Sequence, residues 1–272
     1  MQSLIRIAAT ILGMTLAGFF AAYFSQWLIA DRGTLGPTIM QSNSPGVAIS
    51  GILLLSAAAC GIGATVAKYT TSLCGMTIFG FSFFVLSMNL VGFEEFVLLK
   101  GNIWILIIEI VFLAMIVLLS SLVIFSLGGP MKDVPVTERP IDNFFLKTIL
   151  ISLLMLPAVW IVAKQPSNGQ VLGATATGGI LIGLAVRKYL SSVQPILFFS
   201  IPIGIGAVGY FVGIQLSPIA DITLMQMKHS SLLYPMPLDY VGGAILGVSI
   251  GLNWGASLAI ADFTNSASSK IS

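Results

Sequence analysis

The sequence predicts an all-α fold: a polytopic transmembrane helical bundle of about eight spans, with a signal inside it of two parallel four-helix repeats. Three observations predict this. Charged residues make up only 8% of the 272 positions, with 12 basic and 10 acidic side chains, too few to cover a soluble domain of this size. Eight apolar stretches each approach or exceed the roughly 20 residues that cross a bilayer. The most polar connection in the chain, GGPMKDVPVTERPIDN, divides these stretches into two groups of four. The organisation read from this is a first half over 1–127, a turn-rich linker over 128–143, a second half over 144–265 and a polar tail over 266–272.

The first stretch, Leu4–Ala30, begins like a signal peptide, with Arg6 and the small residues Ala17, Ala21 and Ala22. Its apolar run continues through Tyr23, Phe24, Trp27 and Leu28 to Ile29, far beyond the roughly 7–15 residues of a cleaved core. A retained helix is expected, with Tyr23 and Trp27 in an interfacial aromatic belt. The second and third stretches are Val47–Ala67 and Ser72–Phe93. Cys60 and Cys74 in them are read as small buried hydrophobes rather than a disulfide. The fourth, Asn102–Leu127, carries Glu109 seven residues past Asn102, hence roughly 10 Å into the span.

The fifth stretch, Phe144–Ala163, contains Pro157. The sixth, Val171–Val186, is short and glycine-rich, a shortened or broken span, with Thr175, Gly179 and Gly183 spaced by four. In the seventh, Pro195–Gln215, Pro202 is expected well inside the helix, where it frees the carbonyl of Phe198; Gly209 and Gly213 form a short small-residue pair. The eighth, Tyr240–Ala261, places Gly243, Gly247, Gly251 and Gly255 on one stripe. Stripes of this kind bring membrane helices into backbone contact. Its length suits a neighbouring span and, further, a partner subunit.

Two further patterns concern the arrangement. At an offset of 120, IGATVAKYTTS (Ile62–Ser72) matches IGLAVRKYLSS (Ile182–Ser192) at Ile, Gly, Val, Lys and Tyr. Copies with an even number of spans would share one orientation, related by an axis along the membrane normal. Lys-Tyr is also an ordinary way to end a span at the headgroups. With the N-terminus inside, Arg6, Lys68, Lys132, Arg139, Lys147, Arg187, Lys188 and Lys270 fall on the inner side, against Arg32, Lys100, Lys164 and Lys228 outside. The excess places both termini in the cytoplasm, in a multi-pass protein of the cell membrane.

Few polar groups lie within the spans. Glu109 sits among Ile105–Ile108, Ile110 and Val111, so it faces the bundle interior, a partner or a polar cavity. It either handles protons or cations or makes a packing hydrogen bond. Asn89, near the outer end of the third span, is its expected polar neighbour. Asn253, expected near the centre of the eighth span, marks an interhelical hydrogen bond or a binding position. The ion or proton pathway is therefore assigned to Glu109, Asn89 and Asn253.

No nucleotide, zinc or haem motif is present, and no cofactor or metal is expected. Met225, Met227 and His229 alternate in MQMKH in a way that would suit copper. With Lys228 among them and no second cluster, an amphipathic or re-entrant outer segment is the ordinary reading. Basic residues do not cluster, which excludes a nucleic-acid partner; the expected partners are membrane lipid and other integral membrane subunits. Scarce interior polarity favours a membrane-embedded subunit that anchors a larger complex and contributes to cation or proton translocation. The alternatives are an autonomous small transporter or channel working between the halves and, last, an intramembrane enzyme.

Overall fold

The structure, a computed structural model, describes residues 2–131, 143–190, 193–217 and 229–268, with side chains between 4 and 257. Most of the linker, Met225, Met227 and the end of the polar tail lie outside the described residues. Ten helices follow in order: α1 Gln2–Ser25, α2 Pro45–Tyr69, α3 Ser72–Asn89, α4 Phe93–Leu98, α5 Ile103–Gly128, α6 Phe144–Ser152, α7 Met155–Val162, α8 Asn168–Tyr189, α9 Ile201–Leu216 and α10 Pro237–Ser268. Among the described residues there is no strand, only isolated bridges pairing Ile29 with Leu35 and Ala30 with Ser42.

Among the described residues six helical segments are long and apolar enough to cross a membrane: Leu4–Leu28, Pro45–Tyr69, Ser72–Asn89, Ile103–Gly128, Phe144–Val162 and Asn168–Tyr189. The chain is thus a multi-pass membrane protein by length and composition, with six such helices where the sequence suggested eight. The short sixth stretch is unbroken, because the helix starts earlier, at Asn168, and ends with Arg187 and Lys188 in its last turn, where cations suit the helix dipole.

Two prolines account for the main departures. Pro157 is the third residue of α7. Its ring excludes a helical carbonyl four residues back, and the chain breaks at Leu153–Leu154 between α6 and α7. Pro202 is not inside a helix. The segment Pro195–Phe199 forms a separate 3-10 turn, and Pro202 is the second residue of α9, where a missing N–H costs nothing. The expected kink is replaced by a helix start, and α9 is only 16 residues long.

Glycines set the closest contacts. In the first half α2 and α3 form an antiparallel hairpin in which a Cβ at Gly63 would stand 2.7 Å from the Gly75 carbonyl oxygen, and one at Gly75 would stand 2.6 Å from that of Gly63. Thr71 caps α3 by accepting the Cys74 N–H. Helices α2 and α5 run parallel, with Cys60 against the Ser120 carbonyl at 3.7 Å and Gly63 against Ile124. Cys60 and Cys74 are both free thiols.

In the second half α8 and α10 also run parallel, and the four glycines of the α10 stripe face α8. Gly243 lies on Thr175, Gly247 on Ala176 and Gly179, Gly251 on Ile180 and Gly183, and Gly255 on Arg187. A Cβ at Gly247 or Gly251 would collide with the backbone carbonyl of Ala176 or Ile180. Since α8 and α10 point the same way, the turn at Pro195–Phe199 and α9 carry the chain back between them.

Two antiparallel contacts join the halves, and α5 also touches α10. Helix α3 packs on α10, with Gly80 against Ile245 and Gly242 against the backbone of Phe84; α5 packs on α9, with Ile110 against Gly206 and Ala114 near Gly204. Helix α1 lies at the edge, its Gly13 and Gly18 seated on Ile78 and Phe81 of α3. It leaves an open apolar groove of about 560 Å³ against α2, lined by Leu12, Gly13, Phe20, Ala58, Gly61 and Thr65.

Candidate functional site

Glu109 is six residues into α5, roughly 9 Å from the start of the helix, and only 1% exposed. Asn102 caps that helix by accepting the Trp104 N–H at 2.9 Å, which fixes the register that turns Glu109 inward. The carboxylate accepts two consecutive backbone N–H groups, from Ile39 at 3.1 Å to Oε1 and from Met40 at 3.5 Å to Oε2. Both belong to the connection between α1 and α2, which does not stay at the surface. Leu28, Ala30, Thr38 and Ile39 are fully buried. Irregular backbone at membrane depth needs its polar groups satisfied inside protein, and the connection meets this locally.

Within that connection the Ala30 N–H bonds the Thr34 carbonyl at 2.8 Å and the Asn43 N–H bonds that of Ile29 at 2.8 Å. Thr38 Oγ1 accepts the Gln41 N–H, and Ser42 Oγ donates to the Ile39 carbonyl. Glu109 supplies the acceptors for the two amides at the tip. Above it, Arg32 approaches Glu95 of α4 at 3.6 Å.

A second carboxylate is buried at the same end of the bundle. Asp239, just before the eighth apolar stretch read from the sequence, is the third residue of α10 and 4% exposed. Its Oδ2 accepts the Met236 N–H at 2.8 Å, the reach-back half of a capping box. The Ser87 hydroxyl of α3 donates to its Oδ1, and Thr175 of α8 donates to its backbone carbonyl at 3.0 Å. Asp239 thereby ties three helices together. The sequence signal for it was available: a proline at 237 followed by an acid two residues later is a helix start.

Two tyrosines lie between the acids. Tyr210 of α9 and Tyr240 of α10 are fully buried and stand edge to face, 5.9 Å apart. Tyr210 donates to the Pro235 carbonyl at 2.6 Å and lies within electrostatic reach of both Asp239 and Glu109. The ring of Tyr240 covers Gly206, which Ile110 of α5 also touches. Glu109, Tyr210, Tyr240 and Asp239 therefore form one buried polar region where α5 of the first half meets α9 and α10 of the second.

The other expected pathway residues are elsewhere. Asn89 is exposed and donates to the Val85 carbonyl of its own helix at 2.7 Å. It is not the partner of Glu109; the loop backbone takes that place. Asn253 is also exposed, and level with the Leu252 carbonyl that accepts from Arg187 Nε at 3.1 Å. Because α10 runs from Pro237 to Ser268, Asn253 is about 24 Å along it, near the middle of that helix, but on a face turned away from the bundle. His229 packs edge-on against Phe93 at 5.4 Å. Among the described residues no three His, Cys, Asp or Glu side chains group to hold a metal.

No known family matches the chain, no curated protein is similar to it, and no solved structure resembles it. The functional reading therefore stands on this site and on the membrane-spanning architecture that encloses it.

Proposed function

We propose that this protein is an integral membrane subunit of a larger complex, anchoring it and contributing to proton or cation translocation through Glu109. The observation that carries this reading is a buried carboxylate, at a contact between the two halves, whose hydrogen-bond donors are both backbone N–H groups. Such a group is costly in a membrane and is a position where a proton or small cation can be exchanged. Close packing supports an ion rather than a larger solute: Gly80 on Ile245 and Gly242 on Phe84 leave no room for a Cβ. The long apolar face of α1, from Leu4 through Phe20, suits lipid or a neighbouring membrane subunit.

The second reading, an autonomous transporter built from two copies of a four-helix unit, draws on a different observation. In each half the second and last long helices, α2 with α5 and α8 with α10, run parallel and in contact. The matching Lys-Tyr pairs end α2 and α8. The antiparallel contacts α3–α10 and α9–α5 would then exchange under an axis along the membrane normal.

Purification in mild detergent followed by native mass measurement separates the two: stable partners support the subunit, and a lone chain or homodimer with cation-dependent flux in vesicles supports the transporter. In either case Glu109→Gln is expected to keep the fold and abolish cation-linked activity; normal activity in the folded variant overturns the role of Glu109. The excess of Arg and Lys on one side supports a reading in which both termini and the linker lie on the cytoplasmic side of a cell membrane. Ser3→Cys and Val134→Cys should then resist an impermeant thiol reagent added outside, while Lys100→Cys reacts.

A further inference from the structure

We propose that the connection over residues 29–44 is a plug latched by Glu109, and that a proton taken up by this carboxylate releases it. The inference rests on the reading of Glu109 as a proton-exchanging group, and adds what that exchange does to the structure. A carboxylate offers acceptors to both the Ile39 and Met40 N–H groups at once. A protonated carboxyl keeps one good acceptor and turns its other oxygen into a donor, so one of two consecutive amides loses its partner at membrane depth. A buried amide without a partner is disfavoured, and the simplest way to satisfy it is to move the loop toward water.

The rest of the connection is built to move as one piece. Its internal bonds, Ala30 to Thr34, Asn43 to Ile29, Gln41 to Thr38 and Ser42 to Ile39, do not involve the bundle. Beyond Glu109, the tip is held by a long contact from Gln41 Nε2 to the Phe96 carbonyl at 3.5 Å, by the Arg32–Glu95 pair and by its buried apolar side chains. The groups that face Glu109 determine when it takes the proton. From α9 this is Tyr210, and from α10 it is Asp239 beyond that ring, with Tyr240 beside it. Helices α2 and α3 bring no charged side chain to this level, since Lys68 ends α2 at the opposite end of the bundle.

The test is thiol accessibility in nanodiscs, where both faces meet the reagent. In a background with Cys60 and Cys74 replaced by alanine, Ala30→Cys reports on the plug and Ala244→Cys, buried in α10, reports on the bundle. Rates are divided at each pH by those of the denatured protein. The expected result is plug labelling at least tenfold faster at mildly acidic than at mildly alkaline pH, with the bundle reporter protected throughout. Glu109→Gln, whose amide presents a donor to one of the two N–H groups, should label fast at every pH. A wild-type plug rate that does not change with pH, or a protected plug in Glu109→Gln, overturns the latch. If Glu109→Gln loses activity while its plug stays closed, the latch fails alone. If its plug opens while activity is normal, the proposed function fails and the latch stands. The wild-type pH series needs no Glu109 variant to fold.

Discussion

The α8–α10 seam and the Glu109 region hold the same molecule together in opposite ways. Along the seam, side chains have been removed: four glycines of one helix meet Thr175, Ala176, Gly179, Ile180, Gly183 and Arg187 of the other. Regular helices satisfy their own backbone groups, so contact is limited only by atomic size and is gained by dispersion. At Glu109 the backbone is irregular, and one side chain from another helix satisfies amides 69 and 70 residues away in sequence. The seam is fixed by many close backbone approaches at once, whereas the proposed latch holds or releases the loop by a change at a single carboxylate. This difference assigns stability to the seam and responsiveness to the α5 end.

The largest effect should come from Gly251→Leu. Its side chain would have to displace the Ile180 carbonyl, and overpacking against backbone costs about 3 kcal/mol or more. Loss of the folded form in detergent, read by melting or gel filtration, is expected. A Tm near that of the unsubstituted protein would show that the seam has slack and would remove the contrast. Asp239→Leu comes next. It leaves the Met236 N–H and the Ser87 hydroxyl buried without their acceptor, a loss of about 2–4 kcal/mol, while Asp239→Asn should recover part of it.

Glu109→Gln should lower the stability by about 1–3 kcal/mol, since one of the two loop N–H groups loses its acceptor, yet keep the bundle folded and eliminate cation-linked activity. A large loss of stability together with normal activity would place Glu109 on the structural side of the comparison. The smallest effects belong to Asn89→Ala and Asn253→Ala. Both side chains are exposed from the bundle, and changes within about 0.5 kcal/mol are expected. Strong loss of activity in a folded Asn253→Ala would put a functional surface on the exposed face of α10 at its middle, away from Glu109.

The seam was more legible in the sequence than the site. Spacing by four on one helix places residues on one face whatever surrounds it, so the glycine stripe of α10 and the Thr175–Gly179–Gly183 stripe of α8 could be read singly. That they face each other in parallel could not, because a stripe does not name its partner. Glu109 was legible as an anomaly in an apolar run, and its depth followed from counting residues. Its partners were not, since an N–H group has no sequence identity and any loop can present one. Asn89 was preferred as a partner because side chains are visible in a sequence and backbone amides are not.

Composition by itself determined that this chain lives in a bilayer, because long runs without charge cannot be solvated by water. Spacing determined which helix faces are bare, because helix geometry is local. The tertiary structure alone decided that Pro202 starts a helix instead of kinking one, since the turn before it depends on how the chain returns between α8 and α10. It also decided that Asp239 is buried and that the loop over residues 29–44 descends onto Glu109. Both outcomes depend on which elements meet across the bundle, and those contacts join residues too far apart in the chain for any local pattern to record them.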